Sequence, residues 1–223
     1  TPQRLDPLGG VTAQYFTWSA ALVAIAVACV QFVRHAGDIH SPALQGLALL
    51  CIVAAAAVIM DGSSPRRFPF SRERHAALHG LGLLAVVLDR ASRTPGEGQS
   101  AAWGAVCLAI LLLTIGSYRP PAEIVLFSVA SSLVVAAIVM GFAGDLTPSQ
   151  ATVFTLARAA PIAAVGLGAA AFSRTLVSRI TDWQSGSDQR AAVTRDTIRA
   201  ELLAEVSRDR HELIEHRVGP FLQ

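Results

Sequence analysis

The stretch that decides the fold is residues 42–60, "PALQGLALLCIVAAAAVIM", which contains no charged side chain. A helix needs about 20 predominantly apolar residues to cross the hydrocarbon core of a bilayer. This run is long enough, and it ends directly before Asp61. It therefore predicts a transmembrane helix, and the search for similar runs extends outward from it.

The composition of the whole chain agrees with a lipid environment. The 223 residues are 52% hydrophobic and only 15% charged, with a mean hydropathy of +0.49. Soluble domains carry about 25% charged residues, so the composition indicates a membrane protein. The net charge of +2 is too small to indicate direct binding to nucleic acid.

Six apolar runs predict six membrane spans and an all-α, polytopic fold. The third run is the weakest, because it contains His79 and reaches Asp89 and Arg90 early, so a re-entrant segment is the alternative there. The first run is too long for the apolar region of a cleaved signal peptide. The predicted spans are 13–33, 42–60, 76–92, 100–118, 121–143 and 151–173.

The arginines predict the orientation, because positive charge in short loops stays on the cytoplasmic side. With the N-terminus inside, more arginines fall in inner segments than in outer loops, which predicts that both termini are cytoplasmic. All 18 basic residues are arginine, which is typical of a high-GC coding bias, so we expect a bacterial source and spans in its inner membrane. We divide the chain into a cytoplasmic segment 1–12, a transmembrane domain 13–180, a linker 181–187 and a cytoplasmic helix 188–223. The inner arginines are Arg4, Arg66, Arg67, Arg72, Arg74, Arg119, Arg174 and Arg179, and the outer ones are Arg34, Arg90 and Arg93.

Two charged residues inside predicted spans are candidates for a ligand or signal site. Intramembrane charges are costly and often functional, and Asp89 and Arg158 both fall in the outer half of the predicted bundle. We expect them either to pair with each other, or to act separately, with Arg158 reaching the headgroups and Asp89 ending its helix.

The cysteines and the membrane histidines predict no metal site. Cys29, Cys51 and Cys107 each stand singly within a span, which is typical of small buried side chains. The three histidines near the membrane are scattered in sequence and match no metal-ligand spacing; they are His40, His75 and His79.

A charged helix follows the last span. Gly186 is expected to end one helix, with Ser185 or Ser187 capping the next. The second helix, from about 188 to 218, carries a narrow apolar stripe that needs a partner helix, and a homodimer supplies one. The stripe consists of Ile198, Leu202, Val206, Leu213 and Val218.

The end of this helix, "VSRDRHELIEHRV" at 206–218, resembles the dimerisation helix of bacterial sensor histidine kinases of the NarL-partner type, I-A-R-E-L-H-D followed by H-x-L. The resemblance implies that His211 is the phosphoacceptor, that Glu212 is its acid/base partner and that His216 is a secondary histidine. Arg210 stands where the family has leucine, so a catalytically silent relative is an alternative.

The resemblance also implies an ATP-binding domain and partner proteins. The chain contains no GxxxxGK[ST] loop and no ATP-binding boxes, so ATP and Mg²⁺ are expected on a domain beyond Gln223, and no cofactor is expected in this chain. The implied partners are a second copy and a cytoplasmic response regulator. The predicted function is the sensor module of a two-component histidine kinase. The alternative is a small membrane transporter or scaffold whose C-terminal helix serves only for oligomerisation. For residues 206–218 themselves, the alternative to a phosphoacceptor helix is a solvated juxtamembrane helix.

Overall fold

The computed structural model describes residues 7–64, 67, 69–93, 102–142 and 147–218, and within these ranges it is all-helical, as predicted. The side chains of 7–11, 188, 191, 192 and 207–218 lie outside the description. The helices are α1 (Pro7–Arg34), α2 (Pro42–Gly62), α3 (Arg72–Ala91), α4 (Gly104–Leu112), α5 (Pro121–Gly141) and α6 (Pro148–Val218), with short 3-10 segments at Ala36–Asp38 and Leu113–Ser117.

Local sequence explains where several helices begin. Pro42 and Pro121 occupy the first turns of α2 and α5, where a proline removes no intrahelical hydrogen bond. Ser71 precedes α3, and its hydroxyl oxygen accepts a hydrogen bond from the backbone N–H of Arg74 at 3.2 Å. That bond satisfies one of the free N–H groups of the first turn.

Within the part of the chain that the structure describes, four helical segments are long and apolar enough to cross a membrane: Thr12–Arg34, Pro42–Gly62, Pro121–Gly141 and Pro148–Ser187. They fall at four of the six predicted places. Six spans are not confirmed, because the apolar helix Gly104–Ser117 is too short and α3 is not apolar enough.

Several polar side chains of α3 point into the protein, so the low hydropathy of this helix does not require contact with water. The helix packs against α2, α4 and α5, and the buried side chains include His75, His79, Asp89 and Arg90. Its 20 residues correspond to about 30 Å of helix, which is close to the thickness of the hydrocarbon core. Polar groups inside a bundle are the usual arrangement for intramembrane charges.

Small residues of α1 and α2, two helices that pack against each other, are buried in the bundle. Ala21, Ala24 and Ala48 are completely buried, whereas Leu22 and Leu50 on the same helices are more than half exposed. Small side chains at an interface let membrane helices approach closely, and large apolar ones face the lipid. This inside-out distribution fits a bundle surrounded by hydrocarbon.

The predicted break at Gly186 is wrong, because α6 is helical from Pro148 to Val218. The hydroxyl of Ser185 donates to the carbonyl oxygen of Asp182 at 2.9 Å, within the helix, so it does not cap a new one. One glycine inside a helix costs only about 1 kcal/mol relative to alanine, which a long helix tolerates. The chain divides into two compact units, Thr1–Val177 and Ser178–Gln223.

Candidate functional site

Asp89 is the centre of a buried polar network near the end of α3, where its side chain is 1% exposed. One carboxylate oxygen, Oδ1, accepts hydrogen bonds from Gln45 Nε2 at 3.0 Å and from Arg93 Nε at 2.9 Å. The other, Oδ2, accepts from the backbone N–H groups of Trp103 at 2.7 Å and Gly104 at 2.9 Å. Asp89 therefore joins α2, α3 and the N-terminus of α4, where a negative charge is favoured.

Ser92 extends this network to the segment between α1 and α2. Its hydroxyl donates to the backbone oxygen of Asp89 at 2.7 Å and also contacts Gln45 Oε1. Its own backbone oxygen accepts from the N–H groups of His40 at 2.8 Å and Ser41 at 3.0 Å. The end of α3 is thus fixed to the preceding loop by backbone as well as side-chain bonds.

Arg158, the second residue of the predicted ligand site, lies half-buried on α6. It interacts electrostatically with Asp89, but the hydrogen-bonded ion-pair partner that the structure gives Asp89 is Arg93. Arg90 and Arg93 both lie within electrostatic reach of Arg158. The structure thus brings the two predicted residues into one region, and it adds Arg90 and Arg93 to them.

A cavity of about 180 Å³ lies beside this network, where α1, the start of α4 and α6 meet. Its polar lining comes from Gln31, His35, Trp103 and Arg158. Trp103 is 2% exposed, and its indole Nε1 has no hydrogen-bond partner among the described residues. The buried Nη1 and Nη2 atoms of Arg93 are in the same condition. Buried donors without acceptors are uncommon, because each costs the free energy of its lost hydration.

A second buried cluster contains two histidines of α3. Nε2 of His75 lies 3.2 Å from Nε2 of His79, and Nδ1 of His79 lies 2.6 Å from the hydroxyl of Ser131 on α5. Phe127 packs against both rings, with centroid distances of 4.6 Å and 5.3 Å. The membrane histidines were predicted to be scattered, and this prediction is wrong for His75 and His79, which are in contact. Among the described residues no group of three or more potential ligands could hold a metal ion.

Arg119 ties together three segments at the other end of the bundle. Its guanidinium donates to the backbone oxygen of Phe70 at 2.9 Å and forms an ion pair with Glu123 on α5. Its backbone oxygen accepts a hydrogen bond from the hydroxyl of Ser173 on α6 at 3.0 Å. The hydroxyls of Tyr118 and Thr17 lie 2.8 Å apart, which links this end to α1.

The membrane part of α6 meets its neighbours at small or polar side chains. The hydroxyl of Ser132 donates to the backbone oxygen of Ala159 at 2.8 Å. About two turns further along α6, a Cβ at Gly166 would overlap Ser128 of α5. A Cβ at Gly116, in the 3-10 segment Leu113–Ser117, would lie 2.7 Å from the backbone oxygen of Ala169 on α6. These close approaches require glycine and fix the height of α6 against α5 and against the 3-10 segment.

The residues of the predicted phosphotransfer site lie near the end of α6. The backbone of His211, Glu212 and His216 is helical, but their side chains lie outside the described residues, so the roles of these three remain predictions. Val206 is the last residue of α6 whose side chain is described, and the apolar stripe residues Ile198 and Leu202 before it are exposed.

Sequence reasoning missed several members of the two clusters. The spacing of four between Asp89 and Arg93, and between His75 and His79, places each pair on one helix face and was a readable signal. Gln45 and the backbone N–H groups of Trp103 and Gly104 reach Asp89 from distant parts of the sequence. No local sequence pattern predicts such contacts.

Comparison with protein-family models, with curated proteins and with solved structures finds no match to this chain.

Proposed function

We propose that this chain is the membrane-embedded sensor module of a two-component histidine kinase, with six spans in the bacterial inner membrane and both ends in the cytoplasm. The observation that carries the proposal is the continuity of α6. This one helix contains a segment apolar enough to cross a membrane and the residues 206–218 that resemble a phosphoacceptor helix. In this proposal a change in the membrane part would reach residues 206–218 through this helix.

The exposed stripe on α6 supports a dimer. Ile198, Leu202 and Val206 are each more than half exposed, and charged residues such as Arg199, Glu201 and Glu205 lie between them. Spacings of four residues place them along one side of the helix. Pairing with a second copy would bury them as in a coiled coil, which is the arrangement expected of a histidine kinase dimerisation helix.

The chemistry assigned to the helix follows from the resemblance. An unprotonated ring nitrogen of His211 attacks the γ-phosphorus of ATP, and ADP leaves as the N–P bond forms. Glu212 orients the ring and accepts the proton from its other nitrogen. ATP and Mg²⁺ would be held by a domain of the parent protein beyond Gln223, and a response regulator would receive the phosphoryl group.

The buried polar clusters of α3 favour a second candidate, a small transporter. Polar side chains inside a membrane bundle often mark the path of a substrate or proton, and His75, His79 and Ser131 form such a group. In that case the exposed stripe would serve oligomerisation only. A scaffold with the same oligomerisation helix, or a silent kinase relative, would also lack phosphorylation.

Phosphorylation of the parent protein separates these candidates. The parent, in nanodiscs, is incubated with ATP labelled in the γ-phosphate, beside His211→Gln and the control His40→Gln, which changes an exposed histidine outside the phosphotransfer site. We expect an acid-labile, base-stable label that is lost in His211→Gln and kept in His40→Gln. A parent that binds ATP and takes up no such label would contradict the kinase proposal.

A further inference from the structure

The cavity beside Trp103 has a mixed lining, in which Val27, Ala102 and Val106 are apolar and each of the polar side chains can donate a hydrogen bond. The indole N–H of Trp103 and the guanidinium of Arg158 donate only, and Gln31 and His35 can each donate as well. The indole N–H is buried and has no acceptor among the described residues. A ligand that brings acceptors would satisfy it, whereas an apolar ligand would leave it unsatisfied.

The charge around the cavity favours a negative ligand. Arg90, Arg93 and Arg158 interact electrostatically with one another, and Arg90 and Arg93 are nearly completely buried. The carboxylate of Asp89 already accepts four hydrogen bonds. Arginine is well suited to bind carboxylate and phosphate oxygens, and the buried Nη1 and Nη2 atoms of Arg93 have no hydrogen-bond partner among the described residues.

The size of the cavity limits the ligand to a small group. A water molecule occupies about 30 Å³ of liquid, so 180 Å³ holds about six waters or one compact anion. Pockets for drug-sized ligands are larger, at about 300–1,000 Å³. A single carboxylate or phosphate group fits this volume.

We propose that this cavity binds a small oxyanion, a carboxylate or phosphate group, through Arg158, Gln31 and the indole N–H of Trp103. The group belongs either to a free solute or to a lipid headgroup. Because the cavity is lined by α1, α4 and α6, an occupant would connect α6 to the network that Asp89 holds together. This consequence rests on the proposed sensing function, but the binding itself does not.

Tryptophan fluorescence can follow binding at the site. The chain has three tryptophans, and Trp18 and Trp183 are exposed. Replacing both with phenylalanine leaves Trp103 as the only reporter. The full chain is purified in maltoside micelles, which carry neither charge nor phosphate, and is titrated at constant ionic strength with inorganic phosphate or acetate. A parallel arm adds phosphatidylglycerol to the micelles.

We expect a saturable change in Trp103 emission in at least one arm. Saturation by phosphate or acetate identifies a solute site, and saturation by phosphatidylglycerol alone identifies a headgroup site. Removing one charge-assisted hydrogen bond weakens binding by roughly tenfold to a hundredfold, so Arg158→Gln should lower the affinity by that factor. Arg174→Gln, an exposed arginine of the same helix, should leave it unchanged.

A second variant guards against misfolding of Arg158→Gln. Gln31→Leu changes a partly exposed residue on α1 and should also weaken binding. Equilibrium dialysis with radiolabelled phosphate or acetate measures the affinity of both variants. If only the phosphatidylglycerol arm responds, labelled lipid replaces the free anion. No saturable binding in any arm, or equal affinity in Arg158→Gln, Gln31→Leu and Arg174→Gln, would overturn the proposal. The assay uses no ATP, so an anion site without phosphorylation would refute only the kinase function, and phosphorylation without an anion site only this inference.

Discussion

The carboxylate of Asp89 accepts a hydrogen bond from the backbone N–H of Trp103 at 2.7 Å, although the two residues are fourteen positions apart. The same oxygen accepts from the N–H of Gly104 at 2.9 Å. One buried anion thus fixes the first turn of α4 against the end of α3. Because the indole of Trp103 also lines the cavity, Asp89 positions a wall of the candidate ligand site without lining it.

Replacement of Asp89 by asparagine should destabilise the protein strongly. The amide NH2 cannot accept the hydrogen bonds that one carboxylate oxygen now receives, and Arg93 would lose its buried counter-charge. Breaking a buried ion pair typically costs about 3–5 kcal/mol, which chemical unfolding in mixed micelles can measure. Asp61→Asn is the matched control, because Asp61 is 44% exposed and pairs with Arg67 at the surface, where a pair contributes about 0–1 kcal/mol. Equal losses in the two variants would contradict this account of Asp89.

Two serines on α5 should respond oppositely to the same change. Ser131→Ala removes the hydroxyl that contacts Nδ1 of His79 and leaves a buried ring nitrogen unsatisfied, which costs about 1–3 kcal/mol. Ser128 is equally buried, but its hydroxyl has no partner among the described residues, so Ser128→Ala should be neutral or slightly stabilising. The free energy of unfolding of both variants tests this. A larger loss of stability in Ser128→Ala than in Ser131→Ala would contradict the hydrogen bond between Ser131 and His79.

Two glycines on α6 should also differ. A side chain at Gly166 would overlap Ser128, whereas a Cβ at Gly168 meets nothing within 4 Å. Gly166→Val should therefore push α6 away from α5 and cost about 1–3 kcal/mol, as overpacking usually does. Gly168→Val should cost much less, and thermal unfolding in micelles compares them. Similar melting temperatures would argue against close packing of α6 at this point.

Disulfide cross-linking tests the proposed dimer. In a background with Cys29, Cys51 and Cys107 replaced by alanine, Leu202→Cys should form a cross-linked dimer in membranes under mild oxidation, because Leu202 lies in the stripe. Ala204→Cys is turned by about 200° on the helix and should cross-link far more slowly. Cross-linking at equal rates, or only through Ala204→Cys, would place the interface elsewhere or exclude it.

The apolar runs of the sequence predict much of the fold, and the predictions that failed did so for physical reasons. Runs such as 42–60 predict spans because composition and length suffice for that conclusion. The same reasoning was weak for the 72–91 segment, because several of its polar residues are buried in the bundle. Their burial depends on tertiary packing, which composition and length do not describe. The break expected at Gly186 failed because a single glycine is a weak helix terminator and no proline follows it before Pro220.

The candidate site was predictable only in part. Asp89 and Arg158 stand out in the sequence because they are charges within apolar segments, and the structure places them in one region. The roles of Gln45 and Trp103 depend on contacts between residues distant in sequence, for which a single sequence carries no signal. The cavity itself is a property of packing and could not be predicted.

The most direct test of the account is the labelling rate of His211 in the parent protein when alanines are inserted after Gly186. Each inserted residue turns the following helix by about 100°, and seven turn it by about 700°, close to two full turns. If α6 transmits the state of the membrane bundle, one or two insertions should change the rate severalfold, and seven should restore it. A rate that is the same for every insertion, or a label that His211→Gln does not remove, would contradict the account.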